Sequence, residues 1–174
     1  MKYLVKFFVI TFFLIVSTHA FAEQKIVVLD MKYVLNESKA GKNAQEFLTK
    51  KFNDNAKKFS ELEKSLKKEE SDLLTAKASL TKEEYTKKSD ALRKKVIDYQ
   101  SQRRSSIDKL ATQRLEARKT LMRQIEPILD AYIKENNISL VIDKKNMVGG
   151  STEYDVTKII VEKLDKKFPS LKLQ

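Results

Sequence analysis

The chain contains 174 residues, of which 35 are Lys or Arg and 24 are Asp or Glu, and its formal net charge is +11. It has no Cys and a single His, which excludes disulfide-stapled domains and metal sites built from Cys and His clusters. Only three Gly and two Pro interrupt it, a composition that favours long helices.

The first 22 residues have the organisation of a cleavable signal peptide. Lys2 and Lys6 precede an apolar run over residues 7–16, and residues 20–22 form a small-x-small cleavage site. The apolar run is shorter than the roughly 20 residues that a membrane span needs. We therefore predict cleavage after Ala22, which removes 22 of the 174 residues and leaves an exported chain of 152.

Residues 42–119 predict an arm made of two long antiparallel helices. Apolar residues recur there at the 3-4 spacing of a helix that buries one narrow seam against its neighbour. We expect the first helix over about 42–78 and the second from Lys82 to about Glu135, roughly 50 and 80 Å long. The predicted seam residues are Phe52, Phe59, Leu66, Leu73, Leu80, Tyr85, Leu92, Val96 and Tyr99.

The tip of the arm is predicted near residues 79–81. Thr81 is the expected N-cap of the second helix, and Glu84, three residues later, is the matching residue of a capping box. Leu80 and Tyr85 have the spacing of a hydrophobic staple. A fresh helix start in the middle of a helical run indicates a hairpin rather than a single rod.

Residues 23–41 and 120–174, on either side of the arm, predict one small body that is discontinuous in sequence. Because strands lie both before and after the arm, they share a sheet only if they meet at its base. The expected elements are strands at 25–30 and 138–143, a candidate third strand at 147–148 and a helix at 156–168. The predicted fold class is α+β, mostly α, with a β-rich oligomerisation body and a protruding helical hairpin.

A single copy of this body should not be stable alone. About 60 residues bury little apolar surface, and a three-stranded sheet has edges that natural proteins cover or pair. We therefore predict an obligate oligomer, whose subunit number does not follow from these arguments. The residues expected to form the oligomerisation body are Ile26, Val28, Leu121, Ile125, Ile128, Leu140 and Ile142.

An enzymatic site is not indicated. His19 is the single histidine and is removed with the signal peptide. Glu69, Glu70 and Asp72 lie on a lysine-rich helix, where solvated pairing with Lys at i,i+4 is the simpler interpretation. Gly149 and Gly150 lack the strand–loop–helix context of a phosphate cradle. We predict a protein that is not an enzyme and that uses no cofactor or metal.

The arm has a sustained positive excess, since residues 42–120 contain 21 basic and 13 acidic side chains, a net charge of +8. A solvated helix face explains mixed charge but explains a one-sided excess less well, and such a field attracts anionic partners. For an exported chain these partners are acidic polypeptides, lipopolysaccharide or anionic lipid surfaces rather than nucleic acid. The predicted attracting residues are Lys67, Lys68, Lys87, Lys88, Arg93, Lys94, Lys95, Arg103 and Arg104.

Two sequence blocks resemble the body motifs of a known family. One covers residues 27–38 and continues with Gly41 and Lys42; the other covers residues 140–146 and continues at 155–157. Around a helical hairpin and behind a signal peptide, they are similar to the Skp (OmpH) family of periplasmic chaperones. The resemblance implies a jellyfish-like homotrimer with three arms around a cavity. It also implies an ATP-independent holdase that binds unfolded outer-membrane proteins and hands them to outer-membrane assembly.

The alternative function is that of a structural coiled-coil protein of the envelope, a spacer or tether. Such a protein needs a tight, regular seam and permanent partners. Ser89, Arg103 and Arg114 lie where a tight seam in the second helix would require apolar residues, which argues against this alternative.

Overall fold

The computed structural model describes residues 24–173, so the predicted signal peptide lies outside the described residues. The elements follow in chain order as β1 (Lys25–Leu29), α1 (Met31–Glu37), α2 (Lys39–Thr75), α3 (Lys82–Glu135), β2 (Ile138–Asp143) and α4 (Thr157–Lys167). Short 3-10 turns cover Ala76–Ser79, Lys144–Asn146 and Thr152–Tyr154. Within this part of the chain no helix is both long and apolar enough to cross a membrane. The α+β, mostly α fold class is confirmed.

Strands β1 and β2 pair in parallel at the base of the arm, with Ile26 opposite Leu140 and Val28 opposite Ile142. On its other edge, β1 accepts a hydrogen bond from Val156 N to Val28 O at 2.9 Å. Because side chains alternate along a strand, Ile26, Val28, Leu140 and Ile142 share one face of this sheet.

The candidate third strand at 147–148 is wrong. Lys144–Asn146 forms a 3-10 turn, in which the Asp143 carboxylate accepts a hydrogen bond from Lys145 N at 3.1 Å. Val148 then lies fully exposed. The remaining edge of β1 pairs instead with Asp155, through an isolated bridge to Val28.

The core lies on the opposite face of the sheet, where α1, α4 and the inner end of α3 cover Val27 and Leu29. Leu121, Ile125 and Ile128 are 3%, 1% and 5% exposed in this single chain. These three residues were predicted in the oligomerisation body, and within the single chain they pack inside the core of that body. The core is formed by Val27, Leu29, Val34, Leu35, Ala40, Leu121, Ile125, Ile128, Ile138, Val156, Ile160 and Leu164.

The junction between α1 and α2 fixes the root of the arm. Ser38 is completely buried, and its hydroxyl caps α2 by accepting a hydrogen bond from Gly41 N at 3.2 Å. This cap starts α2 at Lys39, three residues before the predicted start near Lys42. Lys39 N donates to Asp165 Oδ1 on α4 at 2.7 Å, so the last helix is tied directly to this root.

The last helix begins beside Asp155, whose carboxylate accepts hydrogen bonds from Thr157 N at 2.9 Å and from Lys144 Nζ at 2.7 Å. Burial acts to raise the pKa of Asp155, but the hydrogen bonds from Lys144 and Thr157 outweigh it and lower the pKa overall. The Thr157 hydroxyl in turn accepts from Asp30 N at 2.8 Å. These bonds connect the end of β1 to the start of α4.

The inner end of α3 contains Pro127, and the helix ends at Glu135, where the sequence predicted its end, with Asn136 as the C-cap. The Asn136 side chain donates to Tyr132 O at 2.9 Å, which satisfies a carbonyl of the last turn. Asn137 has a φ of 51°, a left-handed conformation that Asn tolerates better than most residues. The chain thereby turns from the helix directly into β2.

Candidate functional site

The candidate site is the arm formed by α2 and the outer part of α3. By helical rise, α2 is about 55 Å long and α3 about 80 Å long. At the tip, Thr81 Oγ1 accepts from Glu84 N at 3.2 Å, while Glu84 Oε2 accepts from Thr81 N at 2.9 Å. These bonds from the Thr81 backbone and hydroxyl lower the pKa of Glu84. The predicted capping box is therefore present and fixes the start of α3.

The seam between the two helices is continuous but only partly apolar. Phe59 is buried, and its ring meets that of Tyr99 edge to face at 6.0 Å between centroids. Asn55 and Ser106 also lie half-buried along the contact. The remaining predicted seam residues that are half-buried are Leu66, Leu73, Leu80, Tyr85, Leu92, Val96 and Tyr99.

Phe52 departs from the predicted seam, because 59% of its surface is exposed. A straight helix rotates by about 20° per heptad against a strict seven-residue repeat. The contact therefore passes through Leu48, Asn55 and Phe59 and leaves Phe52 at its margin. Ile107 on α3 is also 59% exposed, since Ser106 takes the seam position beside it.

Few polar links cross the seam. Lys95 Nζ lies 2.6 Å from Glu69 Oε2, and Tyr99 Oη donates to Glu63 Oε2 at 3.4 Å. The pKa of Glu63 is lowered, first by its hydrogen-bonded ion pair with Lys67 and further by Tyr99 and Arg103. Exposed pairs of this kind contribute little stability each, so apolar contact carries most of the association of the two helices.

The positive charge of the chain is concentrated on the arm. Residues 42–120 have 21 basic and 13 acidic side chains, whereas residues 24–41 and 121–173 together have 12 and 10. Within the arm, the tip half (residues 62–100) has ten basic and eight acidic side chains, and the base half has 11 and five. The net charge is therefore +2 at the tip half and +6 at the base half.

All nine predicted attracting residues are exposed. Three of them form ion pairs: Lys67 with Glu63, Arg93 with Asp90, and Lys95 with Glu69. Among residues 24–173 the other six form no ion pair, which leaves their charge available to an anionic partner. The six are Lys68, Lys87, Lys88, Lys94, Arg103 and Arg104.

Two grooves run along one face of the arm, between α2 and α3. The base groove has a volume of about 270 Å³ and is lined by Phe52, Ala56, Phe59, Arg103, Ile107 and Leu110, among others. The tip groove has a volume of about 470 Å³ and is lined by Leu66, Lys67, Leu74, Tyr85, Arg93 and Val96, among others. Glu63 and Tyr99 line both grooves, so the two are continuous.

Sequence reasoning missed the exposed apolar edges of these grooves. Phe52 was predicted in the seam, and Leu74, which is 59% exposed at the tip groove, was not singled out. The available signal was the spacing of residues 52, 56, 60, 63, 67, 70 and 74, which places them on one helix face. The spacing within one helix does not show, however, whether that face packs against the second helix or remains exposed.

The predicted oligomerisation residues on the strands lie together on the outer face of the sheet. Ile26 is 41% exposed and Leu140 is 51% exposed, while Ile142 is half-buried and Val28 is buried. This apolar face is separate from the core that contains Leu121, Ile125 and Ile128. Within residues 24–173 no group of three or more acidic or His side chains is placed to hold a metal ion.

Comparison with known proteins gives three concordant results. A family model described as outer membrane protein (OmpH-like) matches residues 25–164. A Skp-like protein of Pseudomonas aeruginosa is 25% identical over 166 residues, which cover 95% of this chain and 99% of that protein. The crystal structure of a candidate outer-membrane chaperone (OmpH-like) from Caulobacter crescentus superposes with a TM-score of 0.81.

The Caulobacter structure is 14% identical and covers 91% of this chain and 94% of its own, so it supports the fold alone. The family match, by contrast, spans both halves of the body and the whole arm. The chain therefore belongs to the outer membrane protein (OmpH-like) family, the Skp family.

Proposed function

We propose that this protein is an ATP-independent holdase of the periplasm. It binds unfolded outer-membrane proteins between its basic arms, prevents their aggregation and hands them to outer-membrane assembly. The observation that carries the proposal is an exposed two-helix arm of net charge +8 on a small body, in a chain of the OmpH-like family. Many weak contacts along such an arm can hold an unfolded chain without fixing one conformation.

The mechanism uses no nucleotide. Gly149 and Gly150 lie in an exposed loop between two 3-10 turns, which is not the strand–loop–helix arrangement that cradles phosphate. Release of the bound outer-membrane protein (the client) therefore depends on the greater stability of its folded, membrane-inserted state. The loosely packed seam, with Asn55 and Ser106 inside it, allows the arm to adapt to clients of different size.

The active form is a homotrimer with three arms around a cavity. The exposed face containing Ile26 and Leu140 supports this assembly, because a monomer gains stability by covering such a face. The outer edge of β2 supports it as well, since within residues 24–173 it has no ladder partner. Both features lie in the body, so assembly leaves the arms free.

Export by the signal peptide at residues 1–22 places the protein in the periplasm. There the anionic partners available to the arm are unfolded envelope proteins, and further candidates are lipopolysaccharide and anionic lipid surfaces. Nucleic acid is not an expected partner in that compartment. The concentration of charge on the arm, rather than on the body, supports a role of the arm in attracting them.

The proposal is tested by aggregation of a urea-unfolded outer-membrane barrel protein after dilution, without ATP and with the mature chain added. We expect suppression at about 0.1 M salt and weaker suppression at about 1 M, where the Debye length falls from about 10 Å to about 3 Å. Suppression that does not change with salt would contradict the electrostatic role of the arm. No suppression at any salt would refute the holdase function and favour an envelope spacer.

The trimer is tested by native mass spectrometry of the mature chain with and without the unfolded barrel protein. The expected masses are those of three chains, and of three chains plus one client. A stable, well-folded monomer that still suppresses aggregation would show that the body does not need to assemble.

A further inference from the structure

The two edges of the base groove are formed by exposed apolar side chains, which is unusual for a solvated helical hairpin. Phe52 on α2 and Ile107 on α3 are each 59% exposed and line the same groove. The buried Phe59 ring forms part of the groove wall between them. Such a pair gives an apolar ligand a floor and two edges, whereas single exposed apolar residues are common on any surface.

The groove continues along the arm as a strip with apolar ends and a charged middle. At the tip end lie Leu74, 59% exposed, and the half-buried Tyr85. In the middle, Glu63 is paired with Lys67 at 2.7 Å, and Arg103 lies beside it. The strip therefore offers two apolar contacts separated by polar groups that can bind a peptide backbone.

The length of the strip suggests what fits in it. From Phe52 to Leu74 the helix rises by about 33 Å, at about 1.5 Å per residue. An extended chain advances about 3.3 Å per residue, so about ten residues cover this distance. One transmembrane β-strand of a barrel protein has about 9–11 residues, so its length matches that of the strip.

The charge of the surroundings favours an acidic ligand over a basic one. The base groove lies in the half of the arm whose net charge is +6, and Arg103 on α3 lines it. A barrel strand alternates apolar and polar side chains. It can therefore direct its apolar side chains into the groove and its acidic side chains towards Arg103.

We propose that each arm binds one unfolded transmembrane β-strand, extended along the grooved face between Phe52 and Leu74. This inference rests on the proposed holdase function and adds the face, the conformation and the length of the bound segment. The opposite face of the arm, which contains the Lys95–Glu69 ion pair, and the outer face of α3 take no direct part.

The test uses two matched pairs of substitutions in the mature chain. The groove pair is Phe52→Ser with Ile107→Ser. The control pair is Ile97→Ser with Leu115→Ser, which removes two α3 side chains that are 57% and 63% exposed and lie outside both grooves. All four residues are exposed, so both variants should keep the wild-type circular dichroism spectrum and mass.

The probe is a urea-unfolded eight-stranded outer-membrane barrel protein, labelled with a fluorophore, and the readout is its Kd. We expect the groove pair to raise the Kd about tenfold, equivalent to about 1.4 kcal/mol, and the control pair to raise it less than about twofold. Equal effects of the two pairs would overturn the inference. A groove pair that changes the mass of the assembly would also overturn it, because the groove would then pack against another copy.

The length of the bound segment is tested with peptides of about six, ten and fourteen residues taken from one transmembrane strand of the same probe. We expect the affinity to rise up to about ten residues and then to level off. An affinity that keeps rising with length would refute binding of a single strand. If the wild-type chain fails to suppress aggregation, the holdase function fails with it. If it suppresses aggregation normally, only the grooved-face inference is at stake.

Discussion

Substitution of Gly41 by Ala tests how the arm is fixed to the body. Gly41 is the third residue of α2 and is buried against the end of α1. A Cβ atom at this position would collide with the backbone oxygen of Leu35 and lie 2.9 Å from its carbonyl carbon and 3.0 Å from Ser38 Oγ. Since the obstructing atoms of Leu35 are backbone, α2 must move away from α1.

The expected cost follows from three contributions. Overpacking against a fixed backbone costs about 1–3 kcal/mol. Displacing Ser38 from Gly41 N weakens the N-cap of α2 by about 1 kcal/mol. Replacing Gly by Ala inside a helix stabilises the helix by about 1 kcal/mol, which offsets part of this loss. We therefore expect Gly41→Ala to reduce the free energy of unfolding by about 2 kcal/mol.

The measurement is urea unfolding followed by far-UV circular dichroism, at one protein concentration because assembly contributes to stability. Gly149→Ala is the matched control, since nothing lies within 4 Å of a Cβ atom there and the backbone φ is not positive. It should leave the stability unchanged or raise it by up to about 1 kcal/mol. If Gly41→Ala unfolds at the same urea concentration as the control, the close contact between α1 and α2 is not as described.

Two further predictions concern the arm itself. The pKa of Glu84 is lowered by bonds from the Thr81 backbone and hydroxyl, so the stabilisation they provide is complete above the ordinary pKa of a glutamate and is lost as the pH falls through the lower folded value. The protection factors of the tip amides, which compare their exchange with the intrinsic rate at the same pH, should fall on acidification below that range, and Glu84→Gln should abolish this pH dependence; unchanged protection factors in acid would argue against the capping box. Phe59→Leu should destabilise the arm by about 1 kcal/mol by removing the edge-to-face contact with Tyr99, as measured by urea unfolding. Tyr99→Phe, which removes a 3.4 Å hydrogen bond and keeps both rings, is the control and should change stability by less than about 0.5 kcal/mol; an equal loss in both variants would contradict the role of the ring contact.

Features with local causes could be predicted from the sequence. The capping box of Thr81 and Glu84 and the helix end at Glu135 each depend on a few neighbouring residues. The strands beginning at Lys25 and Ile138 were also predicted, because a short apolar run rich in β-branched residues and without helical periodicity favours a buried strand. Their parallel pairing was not predicted, since it depends on the length and direction of everything between them.

Features that depend on a partner could not be assigned in the same way. Leu121, Ile125 and Ile128 form an apolar stripe, and periodicity alone does not show whether α4 or another copy covers it. Phe52 has the heptad spacing of a seam residue, yet the rotation of the helix leaves it exposed. For the candidate site, the charges could be listed from the sequence, whereas the grooved face required the relative placement of two helices.

The parallel pairing of β1 with β2 has a consequence for how the chain acquires its structure. Residues 30–137 separate the two strands, and closing a flexible loop of that length would be entropically costly. If α2 and α3 associate first at the tip and then towards the base, the arm brings the ends of β1 and β2 together before the strands pair. The arm therefore holds the two strands in position for formation of the sheet. Insertion of extra residues into the turn at Ala76–Ser79 should therefore enlarge the tip of the arm without slowing the pairing of β1 with β2.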